Sequence, residues 1–331
     1  MAKGALITGI TGQDGAYLSQ FLLEKNYRVV GLSRKDQEPD RKRLQYLKID
    51  EKVEIVKADL LDRKSLVAVI EKYQPDEIYH LAAQSSVGKS FVAPEETLHF
   101  NIISALNLLE VVRKVNPQIR FYHASSSEMF GRVAPEDLPV NEQTPLRPIS
   151  PYAISKLAAH WITVNYREAY DLFTVSGILF NHESVLRGPH FVTKKILREA
   201  VRIKKGLAGE LKLGNLNVYR DWGYAPAYVE AMWLMLQQEK PTNYLICSGE
   251  AHSLEEFGRK VFEVLNLDFE RFVSIDQSLF RPLELEIIYG NNTRAKKELG
   301  WRYSLSFNSL IETLTREEML FQEWEESLNE R

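Results

Sequence analysis

The segment Ala5-Leu6-Ile7-Thr8-Gly9-Ile10-Thr11-Gly12-Gln13-Asp14-Gly15 decides the fold, because an aliphatic run leads directly into closely spaced glycines. A stretch of helical period follows at residues 16–24. Glycine has no Cβ, so the chain can turn tightly there and bring backbone N–H groups at the helix start close to a pyrophosphate. The position between a first strand and a first helix predicts a dinucleotide site, with an ordinary glycine turn as the alternative.

Aliphatic runs alternate with helical stretches over the first 180 residues. We predict strands at 5–8, 28–32, 53–56, 77–81, 120–123 and 173–179, and helices at 17–24, 62–72, 101–115 and 151–170. This rhythm is typical of βαβ units, so we expect an α/β fold of Rossmann type, a doubly wound parallel sheet with helices on both faces. Later the alternation loosens, and predicted helices at 227–238, 254–265 and 309–330 indicate a smaller C-terminal domain.

The composition argues against several classes of protein. With 42 lysines and arginines against 45 acidic residues, the net charge of -3 indicates neither a nucleic-acid partner nor a membrane surface. No apolar run approaches the roughly 20 residues of a membrane-spanning helix, and the first residues lack a secretion signal. We therefore expect a cytoplasmic protein, with the basic cluster Arg41, Lys42 and Arg43 on a solvated helix face.

Cysteine and histidine usage indicates the redox compartment and the metal content. The single cysteine, Cys247, excludes an internal disulfide and suits a reducing cytosol, and its apolar neighbours predict that it is buried. The 7 histidines are scattered along the chain without the spacing of metal ligands. We therefore expect no metal site.

The end of the second predicted strand indicates which dinucleotide is bound. An acidic residue there would accept hydrogen bonds from the ribose 2′-hydroxyl of NAD. This chain instead has Arg34 and Lys35, whose charges suit the 2′-phosphate of NADP, with an exposed basic turn as the alternative. The ends of the third and fourth strands, where such folds contact adenine and the cofactor backbone, could equally be ordinary turns; their residues are Asp59, Leu60, Leu81, Ala82, Ala83 and Gln84.

Tyr152 and Lys156 lie four residues apart at the start of a predicted helix, so both project from one face. A free tyrosine has a pKa of about 10, too high for a base at neutral pH. A neighbouring lysine and a nicotinamide cation would each stabilise the phenolate and lower that pKa. Lys156 could also hold the nicotinamide ribose. A surface pair is the alternative, which the upstream dinucleotide loop disfavours.

The segment after the fifth strand, residues 123–131, carries hydroxyls and one carboxylate at the edge of the sheet where open α/β folds bind ligands. A hydroxyl there can hydrogen-bond a substrate oxygen during oxidation. Glu128 is the distinctive residue, because a carboxylate beside the tyrosine suits abstraction of a proton α to a new carbonyl. The alternative is a carboxylate that caps a turn or pairs with an arginine.

Four segments resemble the GDP-mannose 4,6-dehydratase family of the extended short-chain dehydrogenases/reductases: residues 5–15, 161–168, 177–184 and 220–223. The resemblance extends along nearly the whole chain, and the last three segments are more specific than the glycine loop. The Gly-x-x-Gly-x-x-Gly spacing is likewise the one found in this fold. The resemblance implies that Tyr152 deprotonates the C4 hydroxyl of the mannose while C4 gives hydride to NADP, with Ser126 bonded to that oxygen. Glu128 would then take the C5 proton and protonate the departing C6 hydroxyl, before hydride returns to C6.

The resemblance also assigns residues to the two ligands. It implies an NADP-binding domain over 1–180, to which part of 215–245 returns, and a mainly sugar-nucleotide-binding domain over 181–331. The cofactor site implied by the loop, the strand ends and the family comprises Gly9, Thr11, Gly12, Gln13, Asp14, Gly15, Arg34, Lys35, Asp59, Leu60, Leu81, Ala82, Ala83, Gln84, Ser85, Tyr152, Lys156, His182 and Arg187. The implied GDP-sugar site comprises Ser85, Ser126, Glu128, Asn181, Val192, Lys195, Gly214, Arg220, Arg281 and Glu284. A homodimer or homotetramer is expected.

This chain departs from the family pattern at a few positions. Ser126 stands where threonine is usual, which preserves the hydroxyl, and Glu96 stands where a cofactor-contacting tyrosine is usual. The segment before Arg281 is shorter. Two rival functions remain from the residues alone: a nucleotide-sugar reductase or epimerase of the same fold, which would not need Glu128, and a non-catalytic NADP sensor, which could discard Tyr152 and Lys156.

Overall fold

The computed structural model describes residues 2–34, 36 and 38–329. Lys35, predicted to bind the cofactor phosphate, lies outside the described residues. The strands, numbered along the chain, are β1 (Gly4–Thr8), β2 (Arg28–Ser33), β3 (Glu54–Lys57), β4 (Glu77–His80), β5 (Arg120–Ser126), β6 (Thr174–Leu179), β7 (Asn181–Glu183), β8 (Leu211–Leu213), β9 (Tyr219–Arg220), β10 (Trp222–Tyr224), β11 (Tyr244–Ile246), β12 (His252–Ser253), β13 (Val273–Ile275) and β14 (Ile287–Ile288). The α-helices are α1 (Gln13–Glu24), α2 (Lys42–Tyr46), α3 (Arg63–Tyr73), α4 (Val87–Val92), α5 (Pro94–Val115), α6 (Pro151–Tyr170), α7 (Val192–Lys204), α8 (Ala225–Gln237), α9 (Leu254–Val264), α10 (Phe269–Phe272) and α11 (Phe307–Asn329).

A seven-stranded parallel sheet in the order β11-β6-β5-β4-β1-β2-β3 forms the centre of the molecule. Alternate residues of β1 belong to different cores: Ile7 packs with α1 and α8, whereas Leu6 packs with α3, α5 and α6. Because successive side chains of a strand point to opposite faces, helices cover both sides of the sheet. The predicted doubly wound α/β fold is confirmed.

Strand β11 and helix α7 are among the elements that were not predicted from the sequence. Strand β11 has only three residues, too few to show a period, yet it pairs in parallel with β6 after α8 has packed against the sheet. Helix α7 buries Ile196, Leu197, Ala200 and Val201 on one face, with charged residues between them. Cys247 directly follows β11 and is buried, as predicted.

A second core lies beyond residue 180. Its apolar side chains come from α7, α9 and α11 and from the parallel pair β8 and β13. Helix α9 begins with a capping box, in which the Ser253 hydroxyl accepts from the Glu256 N–H and the Glu256 carboxylate accepts from the Ser253 N–H. Within residues 2–34, 36 and 38–329, no helix is both long and apolar enough to cross a membrane.

A buried ion pair joins α7 to the C-terminal helix α11. Lys194 is 3% exposed and Glu318 is fully buried, and the ammonium of Lys194 donates to the Glu318 carboxylate and to the Val185 carbonyl oxygen at 2.6 Å. The Gln322 amide donates to the same carboxylate at 3.0 Å. Because both charges are out of water, each depends on its partner for stability.

Removing one member of this pair is expected to destabilise the protein strongly. Glu318→Leu leaves the Lys194 ammonium buried without its counter-charge, which costs about 3–5 kcal/mol of unfolding free energy. Urea denaturation followed by tryptophan fluorescence measures the loss. The double variant Lys194→Met with Glu318→Leu should recover most of it.

A matched control comes from a second ion pair, which joins Lys205, at the C-terminal end of α7, to Glu326 of α11. Lys205 and Glu326 lie 2.9 Å apart, but the Glu326 side chain is 54% exposed. Glu326→Leu should therefore cost less than about 1 kcal/mol. An equal loss in Glu318→Leu and Glu326→Leu would contradict a special role for the buried pair.

Candidate active site

A cavity of about 460 Å³ opens at the carboxyl ends of the central strands, between the sheet and the segments beyond residue 180. This edge is where open parallel sheets bind ligands. All four residues predicted to be catalytic line the cavity: Ser126, Glu128, Tyr152 and Lys156. All residues predicted to bind substrate line it too, the others being Ser85, Asn181, Val192, Lys195, Gly214, Arg220, Arg281 and Glu284.

The residues predicted to bind the cofactor divide into two groups. Those in the cavity wall are Asp14, Leu81, Ala83, Ser85, Tyr152, Lys156, His182 and Arg187. Those outside the wall lie on the glycine loop or at the ends of β2, β3 and β4, and are Gly9, Thr11, Gly12, Gln13, Gly15, Arg34, Asp59, Leu60, Ala82 and Gln84. The Asp59 carboxylate accepts from the Leu61 N–H at 2.9 Å, which is turn chemistry. The Gln84 amide bonds to Ser86 and Thr97 and so supports its own loop.

The glycine loop has the close backbone approaches that its sequence predicts. Gly9 has φ of 74°, in the left-handed region that favours glycine. A Cβ on Gly15 would lie 2.3 Å from the Gly9 carbonyl oxygen, closer than any side chain tolerates. Helix α1 follows from Gly12, which provides no side-chain cap for its first N–H groups. Those N–H groups and the positive end of the helix dipole suit a phosphate.

Arg43 ties the glycine loop to the segment after β7, and sequence reasoning missed it. Its guanidinium donates to the carbonyl oxygens of Thr11 at 3.1 Å and Leu186 at 2.7 Å. Gln13 makes a parallel link, donating to the His182 carbonyl at 3.1 Å and accepting from the Ser184 hydroxyl at 2.8 Å. The interpretation of Arg43 as part of a solvated face was wrong, because its guanidinium is bonded to two backbone carbonyl oxygens. The sequence did not show this, because the segments of these oxygens are remote from Arg43 along the chain.

Thr8 is a further residue whose structural role was not predicted from the sequence. Its hydroxyl oxygen accepts from the backbone N–H groups of Leu81 and Ala82 at 3.1 and 3.0 Å. The end of β1 therefore sets the direction of the chain after β4, where the cofactor wall begins. Threonine is common in strands, so its presence at position 8 did not predict these hydrogen bonds.

Asp14 and His182 form an ion pair in the cavity wall, with 3.0 Å between the carboxylate and Nε2. Burial alone would raise the pKa of Asp14, but His182, assisted by Gln13 and Arg187, lowers it to about 2. Burial alone would lower the pKa of His182, but the Asp14 carboxylate outweighs it and raises the pKa. The other ring nitrogen lies 2.7 Å from the Phe180 carbonyl oxygen. The pair thus joins α1 to β7 across the cavity.

Helix α6 brings Tyr152 and Lys156 to the cavity on one buried face. The helix begins after Ser150, whose hydroxyl accepts from the Ala153 N–H at 3.1 Å. Burial raises the pKa of Tyr152 to about 12, although a hydrogen bond from Ser126 partly offsets it. Burial lowers the pKa of Lys156 to about 8, and its ammonium donates to the Ala124 carbonyl at 2.8 Å.

Glu128 lies in a 3₁₀ turn, Ser127–Phe130, directly after β5. The Ser126 hydroxyl accepts from the Glu128 N–H at 3.3 Å and so starts the turn, which leaves the Glu128 side chain in the cavity wall. Burial raises the pKa of Glu128, while the charges of Arg220 and Arg281 act in the opposite direction. A raised pKa makes a carboxylate a stronger base than one in water, which favours abstraction of a proton.

Buried histidines scattered in the sequence come together beneath Lys156. The rings of His80 and His123, on neighbouring strands, have centroids 5.5 Å apart. Burial lowers the pKa of His80 to about 3 and that of His160 to about 4, so both are neutral at pH 7. The register of β4 with β5, which spacing along the chain does not reveal, places His80 beside His123, and His160 contacts Ser125 from α6.

Comparisons with known proteins agree with this architecture. The family model for GDP-mannose 4,6 dehydratase matches residues 6–314. The chain is 49% identical over 327 residues to GDP-mannose 4,6 dehydratase 2 of Arabidopsis thaliana, covering 96% of this chain and 87% of the relative. It is 42% identical over 332 residues to human GDP-mannose 4,6 dehydratase, covering 93% and 89%. Its fold is similar to the solved structure of RMD from Pseudomonas aeruginosa complexed with NADPH, with a TM-score of 0.80, 23% identity and coverage of 97% and 99%.

Asp14→Asn should make stability less dependent on pH. The lowered pKa of Asp14 stabilises the fold above pH 3.8 and this contribution is lost as the pH falls toward about 2. The raised pKa of His182 stabilises the fold fully below pH 6.5 and this contribution is lost as the pH rises through the raised value. The parent should therefore exceed the variant in thermal midpoint most clearly between pH 3.8 and 6.5.

The exposed Asp137 provides the control for this experiment. Asp137→Asn should shift the thermal midpoint little, and by the same amount at each pH. A parent and an Asp14→Asn variant that differ equally at every pH would show that the ion pair does not act through its charges.

Proposed function

This chain belongs to the GDP-mannose 4,6-dehydratase family, and we propose on that basis and on the geometry of the site that it converts GDP-mannose to GDP-4-keto-6-deoxymannose, with NADP as its cofactor. The observation that carries the proposal is that Glu128 shares one cavity with Tyr152, Lys156 and Ser126. A nucleotide-sugar reductase or epimerase would need the tyrosine and the lysine, but it would have no use for this carboxylate.

The described residues fit a dinucleotide. The cradle between Gly9 and Gly15 would be filled by any Cβ, and α1 begins without a side-chain cap. Gly9, Thr11, Gly12, Gln13 and Gly15 would surround the pyrophosphate, and Arg34 with Lys35 would hold the 2′-phosphate. Further contacts would come from the ends of β3, β4 and β7 through Asp59, Leu60, Leu81, Ala82, Ala83, Gln84, Ser85, His182 and Arg187. When bound, NADP supplies reversible acceptance of a hydride.

Oxidation at C4 needs a base and a hydrogen-bond donor for one oxygen. Tyr152 would remove the proton of the C4 hydroxyl while Ser126 holds that oxygen, and both side chains line the cavity. In the protein alone burial raises the pKa of Tyr152 to about 12, and a nearby cation would lower it and stabilise the phenolate. Lys156, with a pKa of about 8, is largely charged at neutral pH and would also bind the nicotinamide ribose.

Elimination of water follows from the ketone at C4. The C4 carbonyl acidifies the C5 proton, which Glu128 would abstract, and the proton would then pass to the C6 hydroxyl as it leaves as water. Glu128 must first accept a proton and then release it, and its raised pKa favours the first of these transfers. Reduction at C6 completes the product with no net change of cofactor.

The remaining cavity residues would bind the GDP-sugar. Arginine matches diphosphate oxygens through its planar fork, so Arg220 and Arg281 would contact the diphosphate. Ser85, Asn181, Val192, Lys195, Gly214 and Glu284 would complete this site. The division into an NADP-binding domain over 1–180 and a mainly substrate-binding domain over 181–331 fits these roles. The cytoplasmic location and the homo-oligomeric state stay predictions.

Glu128→Gln tests the proposal directly. The amide keeps the shape of the side chain but cannot take the C5 proton, so kcat should fall by about 10²–10⁴-fold. The assay incubates GDP-mannose with the purified chain and no added reductant, and follows the keto-deoxy product by mass spectrometry together with the NADPH absorbance. The parent should form the product with no net change in NADPH.

Glu136→Gln is a matched control, because Glu136 is exposed in the 3₁₀ turn Pro135–Asp137, on the same connection between β5 and α6. It should keep the parental rate. Product formation by Glu128→Gln at the parental rate, or accumulation of NADPH in proportion to the sugar converted by the parent, would overturn the proposal.

A further inference from the structure

A buried carboxylate lies directly beside one of the arginines of the substrate cavity. Asp221 follows Arg220, is 1% exposed and is the single residue between β9 and β10. Its Oδ1 accepts from the N–H and from the hydroxyl of Ser248, each at 2.7 Å. Its Oδ2 accepts from the N–H of Gly249 at 2.9 Å and, in a longer bond, from the N–H of Gly290 at 3.4 Å. Neither the proton transfers nor the ligand contacts of the proposed reaction use this carboxylate.

The donors to Asp221 lie on both sides of the strand that carries Arg220. Strand β9 pairs antiparallel with β12 and parallel with β14. Ser248 and Gly249 lie shortly before β12, and Gly290 lies shortly after β14. With these strand directions, both segments reach the end of the small sheet where Arg220 lies. The carboxylate therefore joins all three strands at that end.

The sheet β12-β9-β14 is short, so strand pairing gives Arg220 little support. Each of its strands has two residues, whereas strands in globular proteins usually have about 3–10. A ladder with few hydrogen bonds opens at low cost. Hydrogen bonds to an ionised acceptor are stronger than those between neutral groups. The bonds to Asp221 thus supply stability that the strands themselves lack.

Both oxygens of Asp221 are needed for these contacts. Burial raises the pKa of Asp221 to about 6, while hydrogen bonds from Ser248, Gly249 and Gly290 act in the opposite direction. The side chain is therefore mostly ionised at neutral pH and accepts at both oxygens. An amide keeps one acceptor oxygen but turns an NH₂ group toward other donors. Asparagine at this position therefore cannot reproduce the four bonds.

We propose, building on the proposed function, that Asp221 is a positioning residue for Arg220. It joins the chain before β12 to the chain after β14 and so holds β9 with the Arg220 side chain in the wall of the cavity, where the diphosphate of the nucleotide sugar binds. Strand β10 begins at the next residue and pairs with β7 at Asn181. The same carboxylate therefore keeps Arg220 in register with a second residue of the substrate site. Arg220 contacts the ligand, whereas Asp221 acts through Arg220.

The sign of the change in GDP affinity tests this role. Isothermal titration calorimetry compares the full-length parent with Asp221→Asn. Loss of positioning should weaken GDP binding about tenfold. Charge alone predicts the opposite sign, because the substitution removes a negative charge close to an anion site. The KM for GDP-mannose should rise by a similar factor with a smaller change in kcat, since the diphosphate is bound alike in the ground state and the transition state.

A double-mutant cycle shows whether the loss acts through the arginine. In the Arg220→Met background, adding Asp221→Asn should change GDP affinity by less than about twofold. A general loosening of the fold would instead weaken binding by the same factor in both backgrounds. Thermal unfolding midpoints establish that each variant is folded. Ser248→Ala removes one donor and keeps the backbone, so it should weaken GDP binding about threefold and keeps the test open if Asp221→Asn does not fold.

Asp276→Asn is the matched control. The Asp276 carboxylate likewise accepts from the N–H and the hydroxyl of a serine, Ser278, at 2.9 and 2.6 Å, but both bonds stay within one turn. GDP affinity should change by less than about twofold in this variant. Unchanged or tighter GDP binding in Asp221→Asn, an equal loss in Asp276→Asn, or a full loss in the Arg220→Met background would each overturn the inference.

Turnover of GDP-mannose by the parent separates this inference from the function on which it rests. A parent that dehydrates GDP-mannose, with no loss of GDP affinity in Asp221→Asn, keeps its proposed function and refutes the positioning role. A parent that does not dehydrate GDP-mannose, but shows the loss and its dependence on Arg220, keeps the positioning role and refutes the proposed reaction. A parent that binds no GDP also overturns the inference, because Arg220 would then hold no diphosphate.

Discussion

The contact of Gly15 with the Gly9 carbonyl is the constraint on which the rest of the site depends. No side chain fits between these two residues, so β1 can pass into α1 only through a loop of this shape. The same turn places Asp14 opposite His182 and lets Gln13 reach the backbone beyond β6. The loop that requires these missing Cβ atoms therefore also carries the two side chains that bond to His182 in β7.

Burial is the main physical influence on the groups that the reaction would use. It raises the pKa values of Glu128 and Tyr152 and lowers that of Lys156, because low polarity disfavours each charged form. Burial therefore favours the neutral form of each of the three groups more than water would. Nearby charges then adjust each one: Ser126 assists Tyr152 by a hydrogen bond, and Arg220 with Arg281 opposes the effect of burial on Glu128.

The part of the chain beyond residue 180 contains two ion pairs with different surroundings. The buried pair of Lys194 and Glu318 fixes α7 against α11, so the wall carrying Lys195 has a rigid support. Around Arg220, by contrast, the counter-charge comes from an irregular loop through Glu284. One ion pair thus stabilises the framework, while the other lies where a ligand must bind. Their different burial explains how the same kind of contact serves both purposes.

The amino-acid sequence by itself determined the α/β fold, the glycine loop and the grouping of Tyr152 with Lys156, because strand and helix periods, turn chemistry and i, i+4 spacing are local properties. The tertiary structure alone decided that Arg43 joins two backbone segments, that His80 lies beside His123, and that Glu284 pairs with Arg281 and lies near Arg220. Each of these contacts joins segments whose separation and register depend on the packing of the whole sheet. The charge of a residue and its spacing from its neighbours do not predict which remote carbonyl oxygen or carboxylate its side chain will contact.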